Sequence, residues 1–357
     1  MKDLKNYNLL AHNTFGIAGL CRRFVEFGDV DDVQTFVRTL TEADRPLLII
    51  GAGSNLLLTR DFTGTVLHSA IKGREVVKRS DKKVWLRCGS GETWDDIVAY
   101  AVDNGWHGAE NLSLIPGEVG ASAVQNIGAY GVEAKDLITK VEAVDIATGN
   151  VVEMTNEDCK YAYRQSRFKN EWKDHYVITH VTYCFSLNFC PDLDYGNIRH
   201  SLEEQGISKP TAQQLRQTII NIREAKLPDP KVMGNAGSFF MNPVVGRDVY
   251  ERLAARYEGM PHYVVDAEHI KIPAGWMIEQ CGWKGASLGR AGVHDRQALV
   301  LVNRGGATGG EVVALYKRII EDVRNKLLTV LVSRWQIRCS VLRTVRLWGM
   351  KSGLPIR

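Results

Sequence analysis

The chain has 357 residues, 45% hydrophobic and 24% charged, the composition of an ordinary globular protein with room for two or three domains. Its 45 basic against 41 acidic residues leave a formal charge of +4, too mild for a nucleic-acid binder and compatible with a small anionic ligand. The opening MKDLKNYNLLAHNTFG lacks a signal-peptide core, and no stretch reaches the ~18–20 apolar residues of a spanning helix. Seven cysteines without a CxxC read as reduced thiols, so the expected compartment is the cytoplasm and the expected state a monomer.

In chain order, DVDDVQTFVRTLTEA (29–43) places Val33, Phe36, Val37 and Leu40 on one helical face. PLLIIGAGSN (46–55) is a short buried strand entering a glycine turn, and GTVLHSAI and KVWLRCGSG are strand-like. TWDDIVAYAVDNG (93–105) predicts a helix capped by Thr93 and stopped by Gly105. A glycine-rich stretch, 114–133, interrupts this pattern. Residues 140–155 form a hairpin around ATGN, 176–187 a strand and 210–227 a helix. LPDPK (227–231) resists helix and sheet and marks a linker. Beyond it come helices at 247–258, 273–285 and 309–326 and a strand at 298–303. Nine histidines without HExxH or short Cys/His spacing give no metal site.

Four motifs carry chemistry. GAGSNLL (51–57) follows a strand, where backbone N–H groups can meet a pyrophosphate. It departs from GxGxxG, because Leu56 replaces the last glycine, and a plain turn is the competing reading. PGEVGASAVQNIGAYG (116–131) offers a bare backbone to a planar ligand, with Gln125 and Asn126 as hydrogen-bonding partners. YAYRQSRFK (161–169) holds Arg164, which is either a stabiliser of a developing carboxylate or enolate or part of a solvated basic edge strand. KLPDPKVMGNAGSFFMNP (226–243) carries Lys226, Ser238 and Asn242. Ser238 has no neighbouring base; it is either a turn hydroxyl or an acid toward a strongly basic carbanion.

These segments, with NTFGIAG, AGWMIEQCGWKG and VHDRQALVLVN, occur in an order that strongly resembles the UDP-N-acetylenolpyruvoylglucosamine reductases over roughly residues 10–326. DLDYGNIR (192–199) points to the subclass with an extra tyrosine loop. The resemblance implies an α+β architecture: a vanillyl-alcohol-oxidase-type FAD-binding fold in two subdomains (1–72 and 73–226) plus a C-terminal α/β substrate-binding domain (227–326). It implies FAD contacts at Gly51, Gly53, Ser54, Asn55, Leu56, Pro116, Gly117, Gly120, Ala121, Ser122, Gln125, Asn126 and Gly128. Tyr130, Tyr195, Lys226 and Asn242 would serve the UDP-sugar or NADPH. NADPH would reduce the flavin and the flavin the enolpyruvyl group, with Arg164 stabilising the enolate and Ser238 protonating it.

The match breaks at the end. Such enzymes are expected to carry a catalytic glutamate soon after the last helix, yet residues 327–357 contain no Asp or Glu, six basic residues and two tryptophans. A frameshift or sequencing error beyond codon 326 is the expectation, with a divergent tail as the competing reading. The alternative function is an FAD- or nucleotide-binding protein of this fold with impaired catalysis. Ala123 and Met241 stand where relatives often have proline and lysine.

Overall fold

A computed structural model describes residues 1–327 throughout and, beyond them, only the backbone of 332–333, 335–338 and 341–344. The expected break after 326 falls in the last turn of the final helix, Gly309–Leu327, and most of the tail lies outside the described residues. The chain divides into two compact units. One comprises Met1–Asn8, Leu20–Gly53 and Phe62–Ala225; the other comprises Leu9–Gly19, Ser54–Asp61 and Lys226–Arg357.

The first unit holds two sheets. In one, Lys2–Asn8, Leu20–Phe27, Phe62–Ser69 and Leu47–Ile50 lie side by side in that order. Leu20–Phe27 and Leu47–Ile50 both run parallel to Phe62–Ser69. Helix α1, Val30–Arg38, buries Val33, Phe36 and Val37, and its first turn is held by Asp29 accepting from the Asp32 N–H at 2.8 Å. The helix is shorter than the pattern at 29–43 suggests. The Thr39 hydroxyl takes the Phe36 carbonyl, and Thr41 opens a new turn capped by Asp44.

The other sheet is antiparallel: Val151–Thr155, Ile138–Asp145, Tyr176–Ser186, Lys83–Gly89 and Arg74–Arg79. The hairpin and long strand read from sequence are both present. Helix α2, Trp94–Asp103, packs Trp94, Ile97, Val98 and Ala101 into a core with Tyr183 and Phe185. Helix α3, Val119–Gln125, joins it through Val119 and Ala123. Helices α4, Ile198–Glu204, and α5, Ala212–Lys226, make a satellite core through Ile198, Leu202, Leu215, Ile219 and Ile222, with Tyr130 and Leu193 packed against it.

In the second unit, Asn235–Ser238, Val300–Asn303, Ala291–Val293 and Ser287–Leu288 form an antiparallel sheet. Helices α6, Arg247–Ala254, α7, Ala274–Gln280, and α8, Gly309–Leu327, accompany it, with Phe239, Leu315, Tyr316 and Ile319 buried. Mixed helix and sheet in both units bears out the α+β reading. Among the described residues no helix is long and apolar enough to cross a membrane, and no cluster of metal-ligating side chains occurs.

Candidate active site

In the first unit the strand Leu47–Ile50 delivers Gly51 beside the loop 116–121. A Cβ on Gly51 would lie 3.0 Å from Glu118 Oε2 and 3.3 Å from the Ala121 methyl, so glycine allows the two turns a close approach that any side chain would have to push apart by a few tenths of an ångström. Gly53 and Gly117 have φ of +65° and +127°. These glycine-bearing turns leave backbone N–H groups open to a dinucleotide phosphate group, and so fit FAD.

The stretch read as irregular backbone contains helix α3. Gly120 sits inside it because a Cβ there would meet the Ser90 Cβ at 2.9 Å, while its N–H bonds the Ser90 carbonyl at 2.8 Å. Two residues expected at the flavin are committed to protein contacts. The Ser122 hydroxyl lies 2.7 Å from both the Val119 carbonyl and the Tyr183 hydroxyl. The buried Asn126 side chain donates to Glu133 and to the Ala162 carbonyl, both at 2.9 Å, and accepts from the Lys135 N–H at 2.9 Å. What these two positions can offer a cofactor is backbone, not side chain.

Strain gathers here. Leu114, Asn126, Tyr130 and Arg164 are four of the seven non-glycine residues with positive φ among the described residues. Each such residue costs on the order of 1–2 kcal/mol unless its surroundings enforce it, and such residues concentrate where geometry serves function. Arg164 lies in a turn, not on an edge strand, and its guanidinium donates to the Gly128 carbonyl. The Lys169 ammonium holds the Arg164 carbonyl at 2.8 Å.

Asn111 ties the tyrosine loop to this turn: its Nδ2 donates to the Tyr130 carbonyl at 2.9 Å and to the Asp192 carbonyl at 3.0 Å. The backbone of the loop therefore reaches Gly131, where a Cβ would stand 3.6 Å from the Tyr195 Cβ, while Tyr195 itself is exposed. Burial pushes the Tyr130 hydroxyl above its ordinary value, against the pull of Arg223. Arg223, on α5, was not singled out by sequence, although it follows the buried Ile219 and Ile222 on one helical face. Burial lowers its guanidinium below the ordinary value, with the like charge of Arg164 adding to the effect. The nearby Asp95 carboxylate is held by Arg216 at 2.9–3.0 Å. Arg164 and Arg223 thus bring two positive charges to the turn at 128–131.

In the second unit Ser238 ends the strand Asn235–Ser238, half-buried, after Gly237 at φ +66°. Its register opposite Val300 follows a bulge between Asn235 and Ser238, which re-aims the serine out of regular alternation. Asn235 is fastened by its N–H to the Thr14 carbonyl at 2.9 Å, and its carbonyl accepts from the Thr14 hydroxyl at 2.6 Å. Gly234 must be glycine, since a Cβ would fall 2.2 Å from the Phe15 carbonyl oxygen. Asn303 then donates to the carbonyls of Phe15 and Gly16 at 3.0 and 3.1 Å. Three motifs far apart in sequence, NTFG, GNAGS and VLVN, thus make one platform beneath Ser238. Asn242 is exposed and its Oδ1 accepts from the first N–H of α7, on Ala274, at 2.9 Å. Lys226 is exposed at the end of α5. Ser54, Asn55 and Leu56 follow Gly53 into the second unit, where Leu56 is buried.

The architecture is a fold of the vanillyl-alcohol-oxidase type, the class of an FAD-binding protein. Comparison with known proteins agrees: a model described as an FAD binding domain matches residues 21–155. The C-terminal domain model of UDP-N-acetylenolpyruvoylglucosamine reductase matches 229–336, reaching into the acid-free tail. The chain is 53% identical over 324 residues to the UDP-N-acetylenolpyruvoylglucosamine reductase of Bacteroides fragilis, covering 90% of this chain and 96% of that one. It is 48% identical over 322 residues to that of Porphyromonas gingivalis, covering 90% and 95%. The solved reductase of Thermus caldophilus shares the fold at TM-score 0.65 and 20% identity, covering 94% of this chain and 97% of that one. The 6-hydroxy-D-nicotine oxidase of Arthrobacter nicotinovorans aligns at TM-score 0.50 and 14% identity, covering 93% and 86%. The chain belongs to the UDP-N-acetylenolpyruvoylglucosamine reductase family.

Proposed function

We propose that this protein catalyses the NADPH-dependent, FAD-mediated reduction of UDP-N-acetylglucosamine enolpyruvate to UDP-N-acetylmuramate, a step of peptidoglycan precursor synthesis, as a cytoplasmic monomer. The observation that carries the reading is the near-complete coverage of the curated reductases at 53% and 48% identity. In this reading residues 1–72 and 73–226 are the flavin subdomains and 227–326 the substrate domain.

Bound FAD supplies the hydride relay from NADPH to the enolpyruvyl carbon. The backbone at 51–53 and 116–121, opened by its glycines, would hold the cofactor. Arg164, with its backbone fixed in a left-handed turn, presents charge to the carboxylate as the neighbouring carbon becomes an enolate. Ser238 donates its hydroxyl proton to that carbon. A serine suffices as acid because the enolate is a strong base, and no histidine is needed. Tyr130 and Tyr195 flank the turn, while Lys226 and Asn242 serve phosphate binding.

A flavin absorption spectrum on the purified protein, and NADPH oxidation that depends on the enolpyruvyl UDP-sugar, test the reading. A colourless protein, or one whose NADPH oxidation is not raised by the substrate at any enzyme concentration, would overturn it; slow but substrate-dependent turnover would not. In S238A, flavin reduction by NADPH stays near the wild-type rate while substrate reduction falls by ~10²–10³-fold. Size-exclusion chromatography with light scattering checks the monomer.

A further inference from the structure

We propose that His68 is a positioning residue for the cofactor: clamped between Glu26 and Glu118, it locks the two glycine turns together in a proton-dependent way. This inference rests on the assignment of those turns to FAD.

His68 lies on the strand Phe62–Ser69, paired with Glu26 on one side and with Ile50 on the other. Ile50 immediately precedes Gly51. The His68 Nδ1 is 3.0 Å from Glu26 Oε2, and its Nε2 is 3.1 Å from Glu118 Oε1. The other oxygen of Glu118 is the atom that a Cβ on Gly51 would meet at 3.0 Å. One imidazole therefore fastens the loop 116–121 against the turn that begins at Gly51.

A neutral imidazole has one N–H and one lone pair, so it can satisfy only one of two facing carboxylates. The imidazolium donates to both. Burial opposes that charge, but the hydrogen bonds and charges of Glu118 and Glu26 outweigh it and raise His68 above the ordinary imidazole value. Charged groups reach the bridge from each side. Lys2 approaches Glu26 at 3.9 Å from the outer strand, Glu26 comes from the next strand and Glu118 from the loop, while the Phe24 ring stacks on the imidazole at 6.2 Å. When His68 is neutral, the three-residue bridge carries two negative charges instead of one, beside turns that must receive a pyrophosphate. Because the folded value is raised, the clamp is intact at and below the ordinary imidazole value. It is lost as pH rises through the raised one.

The test is an FAD titration of the apoprotein, followed by flavin fluorescence, for wild type, H68Q and E118A from about pH 5.5 to about pH 9. The wild type should lose ~10-fold in affinity across the upper part of this range. Both variants should bind ~10-fold more weakly at the acid end and lack that pH dependence. E118A keeps the Glu26–His68 pair inside the sheet while removing the loop contact, and so tests that contact if H68Q folds poorly. Variants that bind FAD as tightly as wild type, or with the same pH dependence, would overturn the clamp alone. A wild type that binds no FAD at any pH would overturn the functional assignment as well.

Discussion

Arg164 and Gly128, 36 residues apart, are joined by a guanidinium-to-carbonyl hydrogen bond that folds the turn carrying the arginine back onto the glycine-rich segment. The arginine itself sits at φ +56°, so both its backbone and its charge are fixed before any substrate arrives. Lysine at this position keeps a charge but not the planar fork that can hold a backbone oxygen and a carboxylate together. R164K should therefore slow reduction of the enolpyruvyl substrate by ~10–10²-fold and R164A by ~10²–10³-fold. Flavin reduction by NADPH should change little in either. Stopped-flow measurement of the two half-reactions separates these outcomes.

Asn126 should prove a structural residue. Its side chain makes three hydrogen bonds inside the protein, and its backbone lies at φ +44°, a region that asparagine and glycine tolerate and alanine does not. N126A combines lost bonds with backbone strain and should destabilise the fold by ~3 kcal/mol, whereas N126G removes the strain and should cost ~2 kcal/mol. Urea unfolding of the apoprotein gives the order directly; equal losses would mean that the left-handed backbone carries no strain.

Glu142 should set part of the acid sensitivity. Burial disfavours its ionisation, but Arg87 contacts both oxygens, at 2.9 and 2.6 Å, and Lys140 stands 3.2 Å away. Together they hold the carboxyl at about 2. With the folded value depressed, the stabilisation is complete above the ordinary glutamate range. It disappears as pH falls through that range toward the folded value. E142Q should lose ~2 kcal/mol at neutral pH, a figure reduced for the partial exposure of the pair, and should approach wild-type stability near pH ~2. Denaturant midpoints at a series of pH values check the convergence.

The legible parts of this molecule were those written locally. The hydrophobic face of Val33, Phe36 and Val37, the hairpin at 138–155 and the glycine turns show in the sequence because period and turn chemistry act over a few residues. Helix α3 was hidden by Gly120 and by the glycines that flank it, and Gly120 becomes intelligible only once Ser90 is seen against it. The same limit applies to Arg223 and His68. A buried arginine on an amphipathic helix and a strand histidine acquire meaning only from Tyr130, Glu26 and Glu118, which the fold brings from elsewhere. Asn303, bonded to Phe15 across 288 positions, is the extreme case: nothing near either residue announces the other. For Ser238, family resemblance supplied a role that local chemistry left open.

The acid-free tail yields the last prediction. Asp322 is the final acidic residue of the chain, and the glutamate that the family resemblance calls for after α8 has no counterpart in residues 327–357. Flavin binding should persist, because Gly51, Gly53, Gly117 and Gly120 all belong to the first unit, although the tail strand pairs Arg343 with Leu56 just after them. Catalysis should suffer, since the enolate loses an electrostatic and proton-handling partner, a loss of the kind that lowers turnover by ~10²–10⁴-fold. The chain as written should therefore bind one FAD per protein and accept hydride from NADPH at an ordinary rate, yet reduce the enolpyruvyl UDP-sugar ~10²–10⁴-fold more slowly than the Bacteroides fragilis reductase. A variant carrying that reductase's residues after Lys326 should recover most of the difference. Turnover of the unaltered chain within a few-fold of the relative's would show that no such glutamate is needed. Reading the other frames beyond codon 326 provides an independent check: a frameshift requires a glutamate-bearing, family-like segment in one of them.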